Sequence, residues 1–134
     1  PAIAPSTQGS VDEFDPIAMT MTNSYKLQCS PAGLALGPLQ RTMTSCGNAI
    51  DARSGELLAM VTLPANGDEI WFNPSDNRYY FGSTQVSVID AETNQFLGVL
   101  TMATAHALAV DSNTNRIFVP VAAVGVQVFA PNRK

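Results

Sequence analysis

The chain is written in repeats, and no other property of it restricts the fold as strongly. Three segments align: GLALGPLQ-RTMTSC from Gly33, EIWFNPSDNRYYFGS from Glu69 and ALAVDSNTNRIFVPV from Ala107. Leu34, Ile70 and Leu108 correspond, as do Leu36, Phe72 and Val110, and Arg41, Arg78 and Arg116. A second motif lies between these: FDP at Phe14, IDARSGELLAMV at Ile50 and IDAETNQFLGVL at Ile89, with VFAP as a partial fourth copy. The aspartates Asp15, Asp51 and Asp90 recur with it, at a period of roughly 36 to 40 residues.

Each repeat reads as strands. LALG, IWFN and LAVD are short apolar runs followed by turn chemistry in PLQR, PSDNR and SNTNR; RYYFGS and RIFVPV then return as second strands. VSVIDAETNQFLGVL folds back at ETN and AIDARSGELLAMV at RSG, where Gly55 is free to take positive φ. No useful window carries a helical stripe, and Pro and Gly interrupt the chain too often to permit one. Four short antiparallel strands in about 40 residues describe a β-propeller blade. A parallel solenoid needs shorter coils, and a β-sandwich leaves the matching turns unexplained. The expected fold class is therefore all-β, with blades of four antiparallel strands. About three blades are expected, forming an incomplete ring unless the chain self-associates. The division is a single propeller segment over 1–134: a partial blade 1–28, blades 29–65 and 66–104, and a partial blade 105–134. An arc of three blades leaves two faces open, so the chain is read either as the C-terminal portion of a larger propeller or as a copy that completes a ring with others.

Composition removes some functions. With 46% hydrophobic residues the chain can build a core; with 13% charged residues and a net charge of -4 it has no basic footprint for nucleic acid. Its longest apolar runs contain Pro and Gly and fall short of a membrane span, so no membrane insertion is expected. Two cysteines in no CxxC spacing give little support to zinc or dithiol redox chemistry. Cys29 precedes a first strand and Cys46 ends the second strand of the same blade, so both lie at the open end of one hairpin. A disulfide there implies an oxidising compartment; two buried free thiols are the alternative.

DEIWFNPSDNRYYFGS, VSVIDAETNQFLGVL, HALAVDSNTNRIFVPV and CSPAGLALGPLQ resemble the blades of YVTN-type propellers, in the superfamily of the SMP-30/gluconolactonase-like proteins. The resemblance runs from about Val11 to Pro131. It implies a six- or seven-bladed ring in the complete protein, often an exported bacterial protein, secreted or periplasmic, and frequently without an assigned reaction. It does not transfer the metal-binding pattern of the gluconolactonase-like enzymes, which cannot be matched here position by position.

Blade geometry places the residues just before each first strand at the channel mouth. Ala32, Asp68 and His106 are then equivalent, as are Gly33, Glu69 and Ala107. Asp68, Glu69 and His106 are the candidate ligand or metal site: two carboxylates and an imidazole can hold a divalent cation or act as acid and base, and equally can cap strand ends beside a solvated channel. No other cofactor is implied. No nucleophile elbow or phosphate loop is present, so nucleophilic catalysis is discarded. Asp15, Asp51 and Asp90 read as turn acceptors, Arg78 and Arg116 as turn braces, and Trp71, Tyr79 and Tyr80 as sheet-packing residues, an aromatic sugar platform being the lesser reading of Trp71. The leading function is a non-enzymatic exported module that binds a small ligand or a protein partner at its channel-mouth face. The alternatives are a metal-dependent lactonase-type hydrolase and a carbohydrate-binding propeller.

Overall fold

Apolar residues at alternate positions, cut every few residues by Pro, Gly, Asn or Asp, give this chain short strands and tight turns. The computed structural model describes residues 9–65, 67–101 and 104–131. Residues 1–8 and 132–134, which the repeats assign to the partial blades, lie outside the described residues. Thirteen strands follow in order: β1 (Ser10–Asp15), β2 (Thr20–Lys26), β3 (Leu34–Leu36), β4 (Arg41–Thr44), β5 (Asn48–Asp51), β6 (Leu57–Met60), β7 (Glu69–Asn73), β8 (Arg78–Gly82), β9 (Val86–Asp90), β10 (Phe96–Thr101), β11 (Ala109–Asp111), β12 (Arg116–Val121) and β13 (Gly125–Phe129). Among the described residues the one helical element is a 3₁₀ turn at Pro38–Gln40.

Sequence neighbours pair antiparallel into four sheets, β1-β2, β3 to β6, β7 to β10 and β11 to β13. The expected all-β class and four-stranded antiparallel unit are both present. Contacts between sheets run through their first strands, β3 with β7 and β7 with β11, so the first strands are innermost. Turn chemistry behaves as the repeats require. Asn77 and Asn115, ending the turns between first and second strands, take φ of 56° and 55°. At the turn from third to fourth strand an aspartate accepts two successive amides: Asp15 from Ile17 and Ala18 at 2.8 and 3.0 Å, Asp51 from Arg53 and Ser54 at 2.8 and 3.0 Å, Asp90 from Glu92 and Thr93 at 3.0 and 2.8 Å. Gly55 takes φ 72° in such a turn, and the Tyr25 ring of the first sheet lies where a side chain at that position would project.

Two cores separate the sheets. Met43 and Ala49 of the second sheet pack on Ile70, Tyr79, Phe81 and Ile89 of the third. Tyr80, Val86 and Val88, from the opposite face of the third sheet, pack on Leu108, Ile117 and Val119 of the fourth. Strand β8 thus sends Tyr79 and Phe81 one way and Tyr80 the other, as the period of two requires. Arg78 and Arg116 read from the sequence as braces for their own turns, but their repeat counterpart Arg41 works between sheets. Its Nη1 donates to the carbonyl of Glu92 in the β9–β10 turn at 2.8 Å.

The first sheet, with only two strands, is tied to the second covalently. Cys29, just after β2, forms a disulfide with Cys46 in the β4–β5 turn, with a Cα–Cα distance of 6.2 Å. The Gly9 amide donates to the Cys29 carbonyl and the Leu27 amide to the Gly9 carbonyl, both at 2.9 Å, and Leu27 is buried.

Candidate functional site

A repeated backbone bond sets where the loops before the first strands lie. The Gly67 amide donates to the Ser45 carbonyl at 2.9 Å, and the Ala105 amide donates to the Ser83 carbonyl, one repeat later, at 2.7 Å. Each bond pins the start of one sheet to the short loop that joins the second and third strands of the sheet before it. Asp68 and His106, the next residues in the two copies, are thereby held at equivalent places on adjacent sheets. His106 Nδ1 meets Asp68 Oδ2, an ion pair when the imidazole is protonated and a hydrogen bond from a neutral imidazole to the carboxylate otherwise. Both side chains face solvent, 74% and 55% exposed.

Glu69 is engaged differently. Its Oε1 accepts from Trp71 Nε1 at 2.8 Å and its Oε2 from the Leu108 amide at 3.2 Å, so it bridges the third sheet to the fourth while orienting the indole. Trp71 itself departs from the packing role that its alternation suggests. It lies on the innermost strand, 41% exposed, on the face of β7 opposite Ile70. Trp71 shares with Glu69 the face of β7 turned toward the fourth sheet, and it stays half-exposed there instead of joining the core. Nothing in the residue pattern separates those two fates.

In the second sheet the equivalent loop carries no charge. The amides of Ala32 and Gly33 donate to Ser45 Oγ at 2.9 and 3.0 Å, and a side chain at Gly33 would approach the Asp68 carbonyl to 2.8 Å. The uncharged loop therefore lies directly beside the acidic one. Among the described residues no group of three His, Cys, Asp or Glu side chains converges as a metal ligand set. Asp68 and His106 come together, and Glu69 spends both oxygens elsewhere. A cavity of about 300 Å³ bounded by Arg78, Val88 and Leu97 to Leu100 opens over β10, away from these groups, and Arg78 is its only charged side chain. The chemistry where the third and fourth sheets begin is thus two carboxylates, one imidazole and one oriented indole on a solvent-open surface.

No protein-family model matches the chain, and no curated protein sequence does. Solved structures do. Over 90% of its length it superposes on 40% of Kuenenia stuttgartiensis hydrazine synthase with a TM-score of 0.79 at 13% identity. Over 91% it superposes on 45% of the Cps50 (Swd1) β-propeller domain of Myceliophteria thermophila, with TM-score 0.75 and 11% identity. Over 86% it superposes on 42% of the WD40 β-propeller domain of Doa1, with TM-score 0.71 and 14% identity. The chain spans less than half the length of each. Likeness at these identities shows the fold alone, and that fold is an arc of a β-propeller.

Proposed function

We propose that the chain is a non-enzymatic propeller module, secreted or periplasmic, which binds a small ligand or an exposed protein side chain at the channel mouth. The observation that carries this reading is Trp71. A half-exposed indole on an innermost strand, with its N–H fixed by Glu69, presents an aromatic face beside two carboxylates. That combination favours a group that is cationic or rich in hydrogen-bond donors, through the ring face and the acids together. The Cys29–Cys46 bridge supports the oxidising compartment.

Trp71 is the sole tryptophan, so its emission reports on the site directly. Titration with choline and with arginine amide should change that emission saturably, with acetate inert as the anionic control. Glu69→Gln and Asp68→Asn should each weaken the response several-fold. Unchanged emission with both cations, in a protein whose Trp71 remains quenchable by acrylamide, sinks the reading. The exposure of Trp71 also favours a second reading, a sugar platform. Its test is a glycan panel in which binding disappears in Trp71→Ala; binding that survives that substitution ends it.

A further inference from the structure

Asp68 and His106 make the one ion pair among the described residues, and they make it one residue before Glu69. Its placement comes from the backbone around Gly82. The Asp68 amide donates to the Gly82 carbonyl at 2.8 Å, and a side chain at Gly82 would approach the Ala105 carbonyl to 2.6 Å and the His106 carbonyl to 3.4 Å. The end of β8 therefore lies between the two loops, and the absence of a side chain there lets the imidazole close on the carboxylate. In the second sheet Ala32 stands at the same repeat position, so no such pair forms there.

The two carboxylates differ in what they have left to offer. Glu69 already accepts at both oxygens, from Trp71 and from the Leu108 amide. Asp68, 55% exposed, is the acid that a soluble cation reaches, and its partner is the side-chain type whose charge changes between pH 5 and 8. The other elements packed at this junction bring no charge: Ala32 and Gly33 before β3, Gly82, Ser83 and Gln85 at the end of β8 and in the β8–β9 loop, and Ala105 before His106. Among the described residues Asp68, Glu69 and His106 thus set the local charge, two negative charges with a neutral imidazole and one with a protonated imidazole.

We propose that His106 competes internally for Asp68, so that cation binding beside Trp71 weakens as the medium acidifies. The proposal rests on the ligand reading above and supplies its regulation. A protonated imidazole pairs with Asp68 and repels an incoming cation; a neutral one leaves the full charge of the carboxylate to the ligand. One unit of charge at about 5 Å, in surroundings close to water, changes affinity roughly three- to tenfold. Linkage makes the effect reciprocal, so a bound cation drives the proton off the imidazole.

Choline keeps its charge at every pH, and its titration against Trp71 emission at pH 8 and pH 5.5, with circular dichroism checking the fold at both, tests the proposal. Wild-type affinity should be roughly three- to tenfold weaker at the lower pH. In His106→Gln, an exposed position whose new amide can still donate to Asp68, the two affinities should differ by less than about twofold. His106 is the sole histidine, so its C2–H resonance reads its protonation directly, and saturating choline at about pH 6.5 should move that resonance toward its alkaline position. Equal wild-type affinities at the two pH values, or a pH difference that His106→Gln retains, overturns the proposal and leaves the ligand reading standing. A resonance that bound choline leaves unmoved overturns it as well. Absence of any choline response at either pH is a different failure, since it removes the cation ligand and this regulation with it.

Discussion

Removing the Cys29–Cys46 bridge should release the first sheet before anything else. A two-stranded hairpin is marginal in water, and this one is held by the bridge, by Leu27, by the Tyr25 ring on Gly55 and by the Gly9 backbone bonds. The bridged residues are 17 apart, and the chain-entropy relation for a loop of that size gives about 3 kcal/mol. In the double variant Cys29→Ser, Cys46→Ser, the hydroxyl at 29 can still accept from Asn48 Nδ2, which donates to Cys29 Sγ at 3.2 Å, so the loss is confined to the cross-link. If the whole quantity falls on the first sheet, the β1–β2 amides should exchange about a hundredfold faster, at roughly 1.4 kcal/mol per decade. The β8–β9 amides should barely change. Hydrogen exchange followed by mass spectrometry resolves the two regions. If the β1–β2 peptides exchange within threefold of wild type, the bridge is not what anchors the sheet. If β8–β9 accelerates equally, the sheets unfold as one unit and the local account is wrong.

Two titrations follow from the turns and the core. The Arg53 and Ser54 amides hold the Asp51 carboxyl below the ordinary 3.8, and the Thr93 amide and hydroxyl do the same for Asp90, so their contribution is complete above pH 3.8 and is lost as pH falls through the lower folded values. Urea unfolding at pH 3 and pH 6 should therefore differ less in Asp51→Asn/Asp90→Asn, whose amide oxygens keep the turn bonds, than in wild type; equal pH differences refute it. At the alkaline end burial pushes the Tyr79 phenol up to about 12, and Tyr80 and Tyr25 are raised too, so stability present below pH 10 is lost as pH rises through those values. In Tyr25→Phe, which leaves only the two buried phenols, tyrosinate absorbance should consequently appear only as the fold melts, and its appearance near pH 10 in folded protein contradicts the burial argument.

The architecture was legible because the repeats encode it at several levels together. Val86 and Val88 against Val126 and Val128, and Asp15 against Asp51 and Asp90, give strand order, facing and turn type from position alone. The pairing of Asp68 with His106 was legible too, since two residues at one repeat position on adjacent sheets must be neighbours. Glu69 and Trp71 were not. Whether a residue on one face of a first strand packs against the neighbouring sheet or stays open depends on how far the two sheets splay, and that is set by bulk elsewhere, such as Tyr80 and Val88. The reach of Arg41 to Glu92 was hidden for a similar reason, because the sequence marks the turn that precedes Arg41 and says nothing about the turn opposite it.

Among the described residues the third sheet contributes to both hydrophobic clusters, and β8 and β9 are buried along nearly their whole length while β2 and β13 are mostly exposed. In a molecule whose units touch only their neighbours, stability is a sum of unit and interface contributions. The arc therefore has a gradient of rigidity, steep from Tyr79 outward, with its outermost hairpins opening many times for each global unfolding. The acidic and aromatic groups and their imidazole partner span that gradient: Asp68, Glu69 and Trp71 stand on the rigid sheet and His106 on the looser one beside it. Fraying of the fourth sheet would then part His106 from Asp68 while leaving the indole and its carboxylate in place, so this cluster of side chains has a fixed half and a hinged half.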